Sequence, residues 1–204
     1  MRIIYLFIVF IAFNSCRNTD LNPYKEPEPG VHGYGEIKNN TFVEGRMSSS
    51  RVDFDFRWIS LDKKINVNRV EFYVYFNEPY IDADGNAVTA NHGGLEPAGG
   101  KTAPELAYAG LFNLETKRFS ITANQIYNLY ATATFKYDKK TETKVFGANR
   151  PANRRFLAGD SFTIRWRLYG DNGLVYRSWS PAIESGEFNA GGNGANGSIN
   201  FMVR

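Results

Sequence analysis

Paired carboxylates are the groups that glycoside hydrolysis requires, and three acidic residues occupy segments whose spacing predicts β-strands. They are Asp53, Asp55 and Glu71. Each alternates with apolar neighbours, so we expect it on the polar face of an amphipathic strand, where its charge is solvated. An acid–base pair requires carboxyl groups with different pKa values, and no feature of the sequence gives one of these acids a raised pKa. A Gly-x-Ser-x-Gly elbow, which would mark a serine nucleophile, does not occur either. These residues therefore predict no catalytic site.

A run of oxygen-bearing side chains has the alternate spacing of a calcium-binding loop. It consists of Asp82, Asp84 and Asn86. The glycine of an EF-hand should follow the third of these residues, but here it comes one place early, and no glutamate closes the loop. We therefore favour a hydrophilic turn whose side chains accept hydrogen bonds from local amides, with calcium binding as the alternative. His92 follows in the same loop, and we expect it at the surface.

The only cysteine, Cys16, closely follows an apolar run over residues 3–13 that begins after Arg2. Such a run extends about 16 Å as a helix, which is about half the thickness of a bilayer core. It therefore predicts the apolar region of a signal peptide. The small residue Ser15 before the cysteine resembles the lipobox of bacterial lipoproteins, in which the thiol is acylated. We predict cleavage after residues 1–15 and lipidation, the alternative being an incidental cysteine.

Composition limits what the mature chain can be. Removal of the signal peptide leaves the length of one domain plus a tail. The lone cysteine excludes a disulfide framework, and the abundance of phenylalanine (16) and tyrosine (12) favours strands. The net charge of +3, with no basic stripe, does not indicate nucleic-acid binding. Two histidines limit both metal chemistry and general base catalysis.

Residues 17–33 contain three prolines and two glycines without apolar periodicity. Such a segment buries too little surface to offset its ordering entropy, so we expect an extended tether. Strand-like alternation begins near residue 34 and predicts strands over 52–58, 68–77, 111–121, 162–169, 174–180 and 199–203. Pro79 should end the second of these strands, because proline has no amide to donate.

Two long loops are predicted, over residues 80–110 and 138–158. The second contains three arginines that we expect to be solvated, namely Arg150, Arg154 and Arg155. Between the loops, Thr122 and Gln125 have the spacing of a capping box, and apolar residues follow at helical spacing. One short amphipathic helix is therefore predicted.

These elements amount to about seven strands and one helix, separated by turn signals such as Asp171-Asn172-Gly173. We expect an all-β fold, an antiparallel immunoglobulin- or fibronectin III-like β-sandwich with one short helix. The domain boundaries follow: a signal peptide over 1–15, a lipidated cysteine and flexible tether over 16–33, and the sandwich over 34–204. Trp166 should be buried, and its truncation should cost roughly 3–5 kcal/mol.

Tyrosines and arginines recur at outward positions of the predicted strands. Aromatic planes beside planar donors are typical of a platform for sugar rings or for a partner protein. The alternative is cross-strand pairing on a solvated sheet, which stabilises by a few tenths to about 1 kcal/mol per pair. The sequence leaves both open for the following residues: Tyr73, Tyr75, Arg165, Arg167, Tyr169 and Tyr176.

Residues 158–173 (AGDSFTIRWRLYGDNG) combine a Gly-Asp opening, an aromatic-rich strand with a tryptophan and a hairpin signal. Residues 119–124 lead from a strand into a Thr-capped helix, and residues 70–76 alternate valine with phenylalanine. Over residues 50–180 the chain resembles small lipoproteins that accompany SusC/SusD-type nutrient importers in Bacteroidetes-type bacteria. The resemblance implies a β-sandwich exposed at the outer membrane beside an importer, with no catalytic residue.

The leading expectation is therefore a non-enzymatic outer-membrane lipoprotein at the cell surface, bound to the membrane through Cys16. It would assist a SusC/SusD-type importer or hold a glycan or peptide ligand, with no cofactor and no metal. The side of the membrane stays open, because the acids after the cysteine are scattered. The alternatives are a stand-alone carbohydrate-binding lipoprotein and, third, a hydrolase on a sandwich scaffold.

Overall fold

Antiparallel pairing dominates the computed structural model, which describes residues 30–60, 63–93, 107–108, 115–147, 150–177 and 197–204. The predicted signal peptide, Cys16 and the predicted tether up to residue 29 lie outside the described residues. Within the described ranges the chain forms the following elements: β1 (Val31–Asn40), β2 (Arg51–Ser60), β3 (Val67–Ile81), β4 (Ala87–His92), β5 (Ala107–Tyr108), β6 (Lys117–Thr122), α1 (Ala123–Tyr130), β7 (Thr134–Phe135), β8 (Thr143–Lys144), β9 (Ser161–Gly170), β10 (Val175–Arg177) and β11 (Ile199–Met202).

Two antiparallel sheets pack face to face. One has the order β1-β2-β6, and the other has the order β10-β9-β3-β4, with β5 also paired to β3 and β11 to β9. Phe56 of β2 contacts both Phe72 of β3 and Trp166 of β9, with 5.1 Å between ring centroids in each case. The prediction of an all-β sandwich with one short helix is confirmed. Its immunoglobulin or fibronectin III type stays a prediction.

The core follows the alternation of the sequence. Every second residue of β2 and of β9 points inward and is almost completely buried: Val52, Phe54, Phe56, Trp58, Phe162, Ile164, Trp166 and Leu168. Each buried Phe or Trp contributes on the order of 1.5–3 kcal/mol. The other predicted strands agree where they are described, as β6, β10 and β11, whereas residues 111–114 and 178–180 lie outside the described residues.

Helix α1 begins at the predicted capping box. The Thr122 hydroxyl accepts from the Gln125 amide at 3.2 Å, and the Gln125 side chain accepts from the Thr122 amide at 2.8 Å. Ile126 and Tyr130 are buried, and the Tyr130 hydroxyl donates to the carbonyl oxygen of Val74 in β3. The amphipathic face of the helix thus packs on the second sheet.

Strand β3 is longer than the sequence predicts. It continues through Pro79 to Ile81 and forms a hairpin with β4, in which Pro79 lies opposite Thr89. Pairing between β3 and β9 ends at Asn77, so beyond that residue β3 has only one strand neighbour among the described residues. A missing amide is tolerated at such an edge, and the predictions of a strand end at Pro79 and of one loop over 80–110 were wrong.

The turn between β3 and β4 matches the favoured interpretation. Asp82 Oδ1 accepts from the amides of Asp84 at 3.0 Å and Asn86 at 2.8 Å. Gly85 has φ +83°, which is the left-handed conformation that favours glycine. The acidic side chain therefore stabilises a tight hairpin turn.

Strand β1 begins at Val31, inside the range predicted for the tether. Gly33 lies opposite Trp58, and its backbone approaches the buried ring of Trp166. A Cβ atom at Gly33 would lie 2.8 Å from Phe56 Cζ and closer still to the Trp166 ring. The glycine therefore permits the close approach of β1 to the core.

Gly33→Ala is expected to destabilise the fold by about 1–3 kcal/mol, because the added methyl group overpacks a rigid aromatic contact. Urea unfolding followed by tryptophan fluorescence measures the change. Gly30→Ala is the matched control, since nothing lies within 4 Å of a Cβ atom there. Equal stability of the two variants would contradict the close approach.

Candidate functional site

Four ionisable side chains meet beside Phe76, and all of them are buried. Their exposed fractions are 7% for Glu78, 4% for His92, 3% for Arg150 and 1% for Asp160. The alternation of β3 positions the first of them, because Glu78 follows Val74 and Phe76 on the inward face. The Arg150 guanidinium lies 5.4 Å from the centre of the Phe76 ring. We call these four residues the buried cluster.

Arg150 uses all of its N–H groups within the protein. Its Nε donates to Glu78 Oε1 at 2.8 Å, and its Nη2 nitrogen lies 2.7 Å from the same oxygen. Nη1 and Nη2 donate to the two oxygens of Asp160 at 2.6 and 2.9 Å. The remaining N–H of Nη1 donates to the Arg155 carbonyl oxygen at 2.9 Å. The guanidinium is therefore saturated.

Glu78 is saturated as well. Its Oε2 accepts from the Tyr137 hydroxyl at 2.6 Å and lies 2.7 Å from His92 Nε2. Burial acts to raise the pKa of Glu78, but hydrogen bonds from His92 and Tyr137 and the charge of Arg150 outweigh it, so the pKa is lowered. At Asp160 burial prevails over Arg150, and the pKa is raised.

Two expectations from the sequence were wrong at this cluster. Arg150 is buried rather than solvated, because the segment before β9 folds back onto β3. His92 is buried rather than at the surface, because it lies in β4 directly opposite Phe76. Of the three arginines in that segment, Arg154 is exposed as predicted, and Arg155 is half-buried.

A cleft of about 530 Å³ opens beside the buried cluster. Glu78 and Arg150 contribute to its lining, and Tyr80 and Tyr137 provide aromatic rings. The two tyrosine rings lie 5.1 Å apart between centroids, at an interplanar angle of 86°. The exposed side chain of Lys144 also lines it. The cleft therefore joins aromatic surface, exposed polar groups and a charged floor whose hydrogen bonds are already made.

The predicted tyrosines and arginines of β3 and β9 do come together, on the outward face of the second sheet. Arg165 lies 4.6 Å from the centre of the Tyr75 ring, and Arg167 lies 4.6 Å from that of Tyr73. On the same face, the guanidinium of Arg69 lies 4.1 Å from the Tyr169 ring centre. Guanidinium groups thus cover tyrosine rings across the strands.

Glu71 lies at the centre of this face and is only 4% exposed. It accepts from the hydroxyl groups of Tyr73 at 2.7 Å and Tyr169 at 2.6 Å, and it pairs with Arg69 at 3.0 Å. The expectation that Glu71 is a solvated charge was wrong, because two phenols and a guanidinium cover it. These contacts are cross-strand pairs, which the sequence allowed as the alternative to a binding platform. Binding of a ligand on this face stays a prediction.

Tyr176 does not belong to that face. It pairs with Leu168 in the β9–β10 ladder, so both side chains point inward. Tyr176 packs against the hydrophobic core, and its hydroxyl accepts from Asn172 Nδ2 at 2.8 Å. Its predicted place among the outward tyrosines was wrong.

Asp53 and Asp55 lie on the outward face of the first sheet, across the core from Glu71. Asp55 accepts two hydrogen bonds from Arg118, at 2.8 and 3.2 Å, and these bonds lower its pKa. At Asp53, burial is outweighed by hydrogen bonds that include one from Asn39, and the pKa is also lowered. Neither aspartate can face Glu71 across one cleft, so neither forms a hydrolase pair with it.

Within the described ranges, no group of three or more His, Cys, Asp or Glu residues is arranged to hold a metal ion. The same ranges contain no helix that is long and apolar enough to cross a membrane. Cys16 lies outside the described residues, so its predicted lipidation stays a prediction. No protein-family model matches the chain, and no curated protein matches it either.

Four residues of the site were not predicted from the sequence: Glu78, Tyr80, Tyr137 and Asp160. A signal existed for the first two, because the alternation that places Val74 and Phe76 inward continues through both positions. An acid at an inward strand position predicts a buried partner of opposite charge. No comparable signal marks Tyr137 and Asp160, which reach the site from two separate segments outside the main strands.

Arg150→Met is expected to destabilise the fold by about 3–5 kcal/mol, because it leaves two buried carboxylates without their counter-ion. Urea unfolding at neutral pH measures the loss. Arg154→Met is the matched control, since Arg154 pairs with Glu44 at an exposed position and its loss should leave the unfolding free energy unchanged. An Arg150→Met chain as stable as the wild type would contradict the structural role of the cluster.

Asp138, at the mouth of the cleft, provides a test by pH. Hydrogen bonds from the amides of Thr141 and Lys140 lower its pKa from 3.8 to about 2. Its ionised form therefore stabilises the fold above pH 3.8, and this contribution is lost as the pH falls toward 2. Asp138→Asn keeps an accepting oxygen but does not titrate, so its unfolding free energy should fall less between about pH 4 and pH 2. An unchanged pH dependence would contradict the assignment.

Proposed function

We propose that this chain is a non-catalytic lipoprotein of the outer membrane, held by lipid on Cys16 and presenting its β-sandwich at the cell surface. Its role is to bind a ligand as an accessory subunit of a SusC/SusD-type nutrient importer. The observation that carries the binding role is the cleft of about 530 Å³ beside the buried cluster. Its size is typical of small-molecule sites.

The hydrogen-bonding positions of Glu78 and Arg150 are occupied within the protein, which favours a binding role over a catalytic one. A general acid or base must exchange a proton with its substrate, and therefore needs a hydrogen-bonding position free for it. Both oxygens of Glu78 and all N–H groups of Arg150 already have partners within the protein. These groups support the walls of a cleft, which is what a binding protein requires.

The order of segments along the chain supports the anchor. An apolar run and Cys16 come first, a proline-rich segment follows, and the sandwich begins at Val31. The residues between Cys16 and Val31 span at most about 50 Å when fully extended. An acylated cysteine would therefore hold the folded domain close to the membrane and still let it reach a neighbouring protein.

The alternative is a stand-alone carbohydrate-binding lipoprotein. The aromatic wall formed by Tyr80 and Tyr137 favours this alternative, because sugar-binding sites commonly need apolar planes beside polar groups. The two functions share the anchor and the cleft. They differ in whether the protein is bound to an importer.

Cys16→Ala is expected to move the protein from the membrane fraction to the soluble fraction, because the acylated thiol is lost. Ser15→Gly is the matched control, since it keeps a small residue before the cysteine and should remain in the membrane. Fractionation of cells followed by immunoblotting measures both. Membrane retention of the Cys16→Ala chain would contradict the anchor.

Affinity purification of the wild-type chain from detergent-solubilised membranes separates the two functions. Co-purification of a large barrel protein of the importer type would support the accessory role. Recovery of the chain alone would contradict that role and leave the stand-alone binding protein.

A further inference from the structure

We propose that the cleft beside the buried cluster binds a neutral sugar unit of a glycan, with Tyr80 and Tyr137 as its aromatic wall. This inference rests on the proposed binding role and specifies its ligand class. The cleft volume of about 530 Å³ lies within the range of about 300–1,000 Å³ that small-molecule sites occupy.

The aromatic wall is rigid before a ligand arrives. Tyr80 stands nearly perpendicular to Tyr137 and to Phe135, with ring centroids 5.1 and 6.0 Å away. The Tyr137 hydroxyl is fixed by Glu78, which Arg150 holds in turn. Because these rings are already ordered, little side-chain entropy is lost when a ligand binds. A sugar ring offers C–H groups to pack on such planes and hydroxyl groups at its edge.

The charge of the floor favours a neutral ligand. Arg150 carries one positive charge against the two carboxylates of Glu78 and Asp160, so the floor is net negative and does not attract an anion. The oxygens of Glu78 already accept from Arg150, Tyr137 and His92, so they do not await an ammonium group. Neither an acidic nor a basic ligand would therefore find a complementary partner on the floor.

The rim supplies polar groups of both signs. Asp138 and Lys144 are exposed and line the cleft, together with Thr143. Asp138 Oδ1 accepts from two turn amides, which orients the carboxylate at the rim. The rim therefore offers a carboxylate, a hydroxyl group and an ammonium group. These groups can accept hydrogen bonds from, and donate them to, the hydroxyl groups of a sugar.

The test is an array of neutral and acidic glycans, probed with the full chain in detergent. Titration calorimetry with the strongest neutral oligosaccharide then compares variants. Tyr80→Ala should weaken binding at least about tenfold, and Tyr80→Phe should retain it, because the ring rather than the hydroxyl group makes the contact. Tyr34→Ala, on the outward face of the first sheet, is the matched control and should bind like the wild type. Tyr75→Ala asks whether the outward face of the second sheet binds the glycan instead.

Thr143→Arg provides a second variant, because it fills the cleft from an exposed rim position and does not alter the core. It should abolish binding even if Tyr80→Ala proves unstable, and thermal unfolding checks that each variant is folded. Three results would each overturn the proposal: no glycan on the array binds, only acidic glycans bind, or Tyr75→Ala removes binding while Thr143→Arg does not.

Failure of this inference and failure of the anchor can be told apart. A chain that stays in the membrane through Cys16 and co-purifies with an importer, but binds no glycan, overturns the sugar site alone. A chain that binds a neutral glycan through Tyr80 but is not retained in the membrane overturns the lipoprotein alone.

Discussion

A buried arginine held between two carboxylates is the interaction on which the candidate site depends. Arg150 joins Glu78 of β3 to Asp160, which directly precedes β9, and so connects a segment of turns to the second sheet. An unpaired buried charge costs several kcal/mol, and this cost is offset only because every N–H group of the guanidinium has an acceptor. Since Glu78 also binds Tyr137 and His92, the same contacts position the wall of the cleft.

Four of the described tyrosines occupy three different environments. Tyr73 lies on the outward face, where its hydroxyl group donates to a carboxylate and an arginine covers its ring. Tyr176 packs inward against the core. Tyr80 and Tyr137 border an open cleft. A phenol ring beside open space is available to a ligand, whereas a ring already paired within the sheet must first lose its partner, so the cleft is the better candidate for binding.

These features combine in the proposed function. A lipid on Cys16 and an extended segment would hold the sandwich near the membrane, and the rigid cleft would hold a sugar there. A charged floor whose hydrogen bonds are complete supports such a cleft without reacting with its ligand. The outward face of the second sheet, with its paired tyrosines and arginines, remains a candidate surface for the importer.

Local patterns in the sequence determined most of the fold. The alternation of Phe54 and Phe56, the capping box at Thr122 and the turn at Asp82 depend on neighbours only a few residues apart, and all three were predicted. The candidate site was not, because the hydrogen bond between Arg150 and Glu78 joins residues separated by 72 positions. Alternation shows which face of a strand a residue occupies, but it does not show which distant segment covers that face. Only the tertiary structure decided that an arginine expected in water is buried against an acid.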